Sequence, residues 1–469
     1  MAQILARHAS PLTTTVTRIR VTRRCLNASD TCPVRFGAKA LSSPLRNEIS
    51  LLSSNRIFLK TSTAQGFACD ACSTPDHLIR SRSGISVTLE EGVCLDLERL
   101  LDRSLSVDPH PEPEGIRDRA VLVTGAAGSI GSALSLRLLN CRPARLLLLD
   151  RSEFNLHRLR LDLEDHPGTS TAEFLLGDLL DTGLLEEVLL RTSPDVVFHV
   201  AAFKQVPMLE QHPLAALRNN TLGTAALVRV LGDDGDRRLV TISTDKAVSP
   251  RSILGASKRI AELVLLSSAV ARPRGTAIRL GNVLGSSGSV LPRFREQMAS
   301  RRPLTVTHPN VARYFVTAAE AVGLILRAFD LGGGGDILVA NLGEPTSILD
   351  LARRLLRNAG RDPEEDDGII FTGLRPGEKL REQMVDSAEG TAPTADPVLR
   401  RIVGESPSRE QAEAWIEELE SLVRGRNARG VVEAVCRILP GYRPSETLLQ
   451  AIAVPSTLGT GNDREETGR

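Results

Sequence analysis

The stretch AVLVTGAAGSIG, residues 120–131, decides the fold. Its apolar, β-branched start reads as a strand buried on both faces. Gly125, Gly128 and Gly131 then mark a tight turn opening a helix, expected over Ser129 to Asn140. Such a turn accepts a pyrophosphate, because backbone N–H groups and the positive end of the helix dipole converge there. Ser129 and Ile130 belong to the same cofactor-binding turn. Asp150 ends the second apolar stretch, 19 residues past Gly131, where a ribose 2′-hydroxyl would be held.

The same pattern continues outward. Strands are expected at 145–150, 172–178, 195–202, 238–244 and 276–283, with helical stretches between them. Continuous apolar strands alternating with helices imply an α/β, doubly wound parallel sheet of the Rossmann type. Asp178 ends the third strand and is placed to meet an adenine, with Leu179 beside it; Ala201 and Ala202 close the fourth. Asp150 favours NAD, since a carboxylate repels a 2′-phosphate, while Arg151 works the other way and leaves NADP open. The spacing GxxGxxG resembles that of the extended short-chain dehydrogenase/reductase proteins.

Five regions are expected. Residues 1–86 show no strong period and read as a disordered or eroded segment. Residues 87–118 hold a strand, a helix and the proline-rich linker PHPEPEG. The dinucleotide-binding domain covers 119–290, a substrate-binding region with C-terminal helices covers 291–445, and 446–469 is a disordered tail. The formal net charge is +1, so nothing global points to nucleic acid or a membrane surface. The first 60 residues are Arg-rich and acid-poor, like a transit peptide in composition but without its amphipathic period. No run of 18 apolar residues occurs, so no membrane-spanning helix is expected. Seven dispersed cysteines suit a reducing cytoplasm; the one CxxC, Cys69 and Cys72, lacks a second ligand pair, so no metal is expected.

Lysine is scarce, six residues in all, which leaves 52 arginines among the 58 basic side chains. Lys39 and Lys60 lie in the unpatterned start, but Lys204, Lys246, Lys258 and Lys379 fall at strand ends or in motif-like segments. A lysine can lose its proton when desolvated and an arginine effectively cannot, so these four mark chemistry or compact contacts. Thr244, Asp245 and Lys246 close the fifth strand, at the sheet edge where ligands bind in this fold. Four residues before Lys258, where related segments usually carry tyrosine, stands Leu254, which has no proton to exchange.

Here the resemblance becomes specific. STDKAVSPRSILGASKRIAE (243–262) resembles the active-site stretch of the UDP-N-acetylglucosamine 4,6-dehydratases, the CapD-like polysaccharide biosynthesis proteins. AAFKQVPMLEQHP, RLGNVLGSSGSVLPRF, HPNVARYFVT, GLRPGEKLREQM and LPGYRP agree, and together the similarity spans about residues 87–445. In long members of that family the tyrosine position is commonly methionine, and Leu254 is close to it in size and polarity. Gln205 departs from the pattern, which commonly has histidine there. Long members also carry transmembrane helices and an extra nucleotide-fold domain, so this chain is expected to correspond to their soluble catalytic part.

The resemblance implies an NAD(P)-dependent lyase that makes a UDP-4-keto-6-deoxy sugar, with the cofactor tightly bound and regenerated in each cycle. It implies Lys246 as the base at C5 and Asp245 as the acid at C6. Thr244 or Lys258 would serve the C4 hydroxyl, and no single acceptor of its proton is assigned. Asn282 and Arg313 would lie near the UDP diphosphate, Arg375 would bond to it, Glu378 would bind ribose hydroxyls, and Lys204 would touch substrate. A homo-oligomer in the cytoplasm is expected. Two other readings stay open: a UDP-hexose 4-epimerase, and a catalytically silent nucleotide-binding partner.

Overall fold

The computed structural model describes residues 115–453 apart from 233–236, 268–273, 333 and 364–367, together with Leu100, Leu101, Arg103, Pro113 and several short strands before residue 97. The chain divides into two units, Met1–Leu97 and Glu98–Arg469. In the first, Glu48–Leu52 pairs with Arg56–Lys60 and Leu78–Ser81 with Gly84–Thr88, all antiparallel. The first three of these strands lie in the stretch expected to lack regular structure, and the fourth crosses its end at residue 86. Cys69 and Cys72 lie outside the described residues.

The second unit is built on one nine-stranded sheet. Its strands are β1 (Ala120–Thr124), β2 (Arg145–Asp150), β3 (Ala172–Leu176), β4 (Val196–His199), β5 (Arg238–Thr244), β6 (Arg274–Leu280), β7 (Asp336–Ala340), β8 (Gly390–Pro393) and β9 (Leu399–Val403). The spatial order is β3-β2-β1-β4-β5-β6-β7-β9-β8. The first seven run parallel, and β8 and β9 form an antiparallel edge. Order reverses beside β1, which makes the crevice between β1 and β4 the ligand-binding position of a doubly wound sheet. The longer helices are α1 (Ser129–Asn140), α2 (Glu153–Asp162), α3 (Thr182–Thr192), α4 (Val206–Gln211), α5 (Gly223–Leu231), α6 (Ile253–Ser267), α7 (Val290–Ala299), α8 (Ala318–Leu331), α9 (Ile348–Asn358), α10 (Arg409–Arg424), α11 (Ala428–Ile438) and α12 (Glu446–Ala453).

Alternation along each strand feeds two cores. Val121, Val123, Leu146, Leu148 and Phe198 face one side, where α1 and α8 cover them with Leu134, Leu138 and Phe329. Leu122, Leu147, Leu149, Val197 and Leu239 face the other with Leu185, Leu227 and Leu265. Both faces are dry, which is why these strands read as unbroken apolar runs. The boundary expected at 290 does not hold for the sheet, since α8 and β7 lie beyond it and supply the seventh strand and its cover.

A third core joins α6 to the C-terminal helices through Ile253, Ile260, Ile416, Leu419, Val435, Tyr442 and Leu448. The tail expected from 446 onward is a helix over Glu446–Ala453, because Leu448 is wholly buried and Ser445 Oγ donates to Glu210 at 2.5 Å. Residues 454–469 lie outside the described residues. Among the described residues no helix is long and apolar enough to cross a membrane.

Candidate active site

At the carboxyl ends of β1 to β6 the sheet opens into a cleft of about 680 Å³. Every residue assigned to cofactor, substrate or chemistry in the sequence lines it except Gly131 and Asp245, and of the four lysines singled out only Lys379 does not. Gly125 has φ +69°, and a Cβ there would lie 2.6 Å from the Ala201 backbone, so only glycine lets the turn pass this close to the end of β4. A Cβ on Gly131 would meet the Gly125 carbonyl at 2.1 Å, which explains why it packs below the turn instead of facing the cleft.

Asp150 is fixed by two backbone amides, Ala127 N at 3.0 Å and Ser152 N at 2.9 Å. Asp178 accepts from Leu180 N at 3.1 Å. Arg151 stacks over Phe203, 4.1 Å from the ring centroid, and donates to Asn219 Oδ1 at 3.1 Å. Asn219 and Asn220 come from a π-helical turn, Leu217–Leu222, that leads into α5. Asn220 accepts from Phe203 N at 2.8 Å and donates to its carbonyl at 3.2 Å, which pins the wall formed by Ala201 and Ala202. Turns of this kind recur where a helix must present side chains to a site.

Helix α6 brings Leu254 and Lys258 to the cleft one turn apart. A Cβ on Gly255 would lie 2.2 Å from the Lys246 carbonyl, so this glycine sets how closely α6 approaches the Asp245–Ala247 turn. Lys258 is buried and no hydrogen-bond partner holds it among the described residues. Burial pulls its pKa down to about 8, against the opposing pull of Glu262. His199 is enclosed between Thr124 Oγ1 at 2.8 Å and Thr224 Oγ1 at 2.9 Å. Burial, then the charge of Lys258, lowers its pKa to about 3, so it stays neutral.

At the end of β5, Lys246 Nζ donates to Asp245 Oδ1 at 2.9 Å and to Asn282 Oδ1 at 2.7 Å. Thr244 Oγ1 also donates to Asp245 Oδ1, at 2.9 Å. Asp245 is fully buried behind these two residues, and its Oδ2 has no hydrogen-bond partner among the described residues. The direct acid expected from the sequence therefore sits one side chain back from the cleft. A second carboxylate, Glu382, lies 3.9 Å from Lys246 Nζ and lines the cleft. The sequence reading missed it; the signal was a second acid in GLRPGEKLREQM, four residues after Glu378.

Arg313 and Glu378 were both expected against substrate, yet they bond each other at 2.8 Å. Arg313 also donates to the carbonyls of Ala312 at 2.8 Å and Leu380 at 3.2 Å, and Glu378 accepts from Thr307 Oγ1 at 3.1 Å. Arg375 faces the cleft beside Arg293, whose pKa is lowered by burial and then by the Arg375 charge. This cationic pair suits a diphosphate, and Arg293 was not singled out in the sequence. Lys204 is at the rim, where partial enclosure lowers its pKa. Gln205 reaches Ser287, whose amide donates to Ser129 Oγ at 3.3 Å, so residues 284–289 cross the glycine turn.

One buried ion network holds the substrate side to the sheet. Arg279, fully buried on β6, donates to Glu262 Oε1 and Oε2 at 2.9 Å each and to Glu389 at 2.6 and 2.8 Å. Burial raises the Glu262 pKa, but Arg279, Arg259 and Ser243 outweigh it and bring it to about 2.

Residues 121–402 match the family described as "Polysaccharide biosynthesis protein". The chain is 40% identical over 300 residues to "Capsular polysaccharide biosynthesis protein CapD" of Staphylococcus aureus, covering 63% of this chain and 50% of that one. It thus spans about half the length of that curated relative. A Rickettsia rickettsii protein named "UDP-glucose 4-epimerase" is 31% identical over 280 residues, covering 58% of this chain and 79% of that one. Among solved structures, "Pen from Bacillus thuringiensis" superposes with a TM-score of 0.55 at 26% identity, over 63% of this chain and 92% of that one.

Proposed function

The chain belongs to the polysaccharide biosynthesis protein family, and on that premise we propose that it is a nucleotide-sugar 4,6-dehydratase. Its substrate in this reading is UDP-N-acetylglucosamine or a related UDP-N-acyl-hexosamine. The observation that carries the proposal is Lys246, hydrogen-bonded to Asp245 and Asn282 between a glycine-rich turn and an arginine pair, with apolar Leu254 in place of a tyrosine.

The residues present fit NAD. A side chain at Gly125 would collide with the Ala201 backbone, Asp150 is held at the cleft wall, and the Lys258 ammonium has no hydrogen-bond partner among the described residues. When bound, NAD would accept a hydride from sugar C4 and return one to C6. Lys246 takes the C5 proton and gives it back. The proton lost by the C4 hydroxyl leaves finally with the C6 oxygen as water, so a group between the two must carry it. Asp245 is that acid, acting through the Thr244 hydroxyl that joins it to the cleft. Lys258 orients the ribose and the C4 oxygen. Arg375 and Arg293 neutralise the diphosphate.

The test is to incubate the protein with UDP-N-acetylglucosamine and NAD and to follow the sugar nucleotide by mass spectrometry. Loss of one water with a 4-keto signal is expected. The Rickettsia relative motivates a second reading as a 4-epimerase. Interconversion with UDP-N-acetylgalactosamine, without loss of water, would establish it. Lys246→Met should abolish C5 deuterium exchange from solvent; exchange at the normal rate would remove Lys246 as the base.

A further inference from the structure

Asp150 and Arg151 are neighbours in sequence with opposite cofactor preferences, and the fold ties them to different parts of the cleft. Asp150 is held beside the glycine turn, where the amides of Ala127 and Ser152 each bond one of its oxygens. Arg151 is held by the wall that follows β4. Its guanidinium lies over the Phe203 ring, 4.1 Å from the centroid, and its Nη1 donates to Asn219 Oδ1 at 3.1 Å. Asp178 Oδ2 stands 3.8 Å from the same nitrogen. A flat cation stacked on one face and bonded along one edge has its plane and its direction fixed.

The holder is itself held. Asn219 Nδ2 donates to Asn220 Oδ1 at 3.0 Å, which leaves Asn219 Oδ1 for Arg151. Asn220 is buried and bonds both backbone groups of Phe203 and the hydroxyl of Ser257 on α6. The ring under Arg151 and the amide beside it therefore depend on one buried side chain. Both asparagines belong to the π-helical turn, a departure from regular helix of the kind found at functional sites.

We propose that Asn219 is a specificity-determining residue: by holding Arg151 on Phe203 it withholds the guanidinium from a ribose 2′-phosphate and leaves the cleft selective for NAD over NADP. The inference rests on the reading of this cleft as a nicotinamide dinucleotide site and is independent of the dehydration step. To grip a 2′-phosphate with two parallel N–H groups, Arg151 gives up Asn219 and Asp178 on its Nη1 edge and its place on the ring. It does so beside the Asp150 carboxylate, which suits a ribose hydroxyl and repels a phosphate. Selectivity is a difference of two affinities, and this clamp acts on only one of them.

The test is a competition. The full chain is dialysed to equilibrium against equal concentrations of NAD and NADP, and the excess of each on the protein side is quantified by mass spectrometry. The unaltered chain should hold NAD over NADP by about tenfold or more. Asn219→Ala should cut that ratio by about tenfold, the worth of one hydrogen bond to a charged group, through tighter NADP binding and with NAD binding within about twofold of normal. Phe203→Leu should shift the ratio the same way. Arg151→Ala alone should leave it within about threefold of normal, because a clamped guanidinium does not serve the phosphate, and in that background Asn219→Ala should add nothing. No shift in Asn219→Ala, or a shift that persists without Arg151, would mark a wall that does not act through the guanidinium. A loss of NADP binding in Arg151→Ala would mean that Arg151 already serves the phosphate. Any of these results, or an unaltered chain that prefers NADP, overturns the inference. If the ratios move as expected but UDP-N-acetylglucosamine loses no water, the dehydratase reading fails and the role of Asn219 stands; if neither nucleotide is retained, the cofactor reading and the inference fall together.

Discussion

Lys258 shows what a single side chain costs and supplies. It is buried, it lacks a hydrogen-bond partner among the described residues, and burial lowers its pKa from 10.5 to about 8. The folded state thus binds this proton less tightly than the unfolded chain. Between pH 8 and pH 10.5 the unfolded state carries more protons, so stability rises with pH across that window. Below it the penalty is constant and fully present. Lowering from 10.5 to about 8 corresponds to roughly 3 kcal/mol. Lys258→Met should therefore raise the stability of the ligand-free protein at pH 7 by up to about that amount while abolishing NAD binding. The gap should close as pH climbs past the unfolded lysine value. Thermal unfolding of both chains as a function of pH checks this, and an equal gap at pH 7 and pH 11 would rule out a penalised buried ammonium.

At the scale of elements, the site depends on how the segment after β7 is held to the sheet. Arg279 uses its guanidinium on Glu262 of α6 and Glu389 of that segment at once. Removing one member of a buried ion network typically costs 3–5 kcal/mol, because the partner charges are left uncompensated. Arg279→Met should lower the urea midpoint accordingly with little change in slope. Glu262 adds a pH signature: its pKa is about 2 when folded and near 4.5 otherwise. Its stabilisation is present above pH 4.5 and is lost as pH falls toward 2. The Arg279→Met chain should lose that part of the acid dependence, read from unfolding curves between those limits. Such contacts explain what the sequence revealed and what it hid. β1, β2 and β5, with α1, occupy the expected residues because continuous apolar runs and a glycine turn are local signals. Glu382, Arg293 and the mutual pairing of Arg313 with Glu378 depend on segments distant in sequence, which periodicity does not encode. α12 escaped notice because its attachment rests on a few side chains, buried Leu448, Ile452 beside it and Ser445.

At the scale of the molecule, the question is where the catalytic unit begins. It divides from the first unit at Glu98, not at the end of the proline-rich linker. Arg103 explains why. Its guanidinium grips both oxygens of Glu320, at 2.8 and 3.0 Å, and the carbonyl of Phe315 at 2.9 Å. Glu320 also completes the capping box of α8, which covers β1 and β5 to β7. Arg354 adds a bond to the Leu100 carbonyl at 3.1 Å, and Leu100 itself is fully buried. We propose that a chain starting at Glu98 folds and turns over like the full-length protein. A chain starting at Pro113 loses Arg103 and Leu100 together, removes the two Arg103 bonds to Glu320, and uncovers apolar surface. Fully burying a leucine is worth about 1.5–3 kcal/mol, and a hydrogen bond to a charged group about as much again. The shorter chain should therefore unfold at least 3 kcal/mol more easily by these terms. Comparing urea midpoints of the two truncations decides the boundary: equal midpoints would place the start of the unit after the linker, and a drop only in the shorter chain would place it at Glu98.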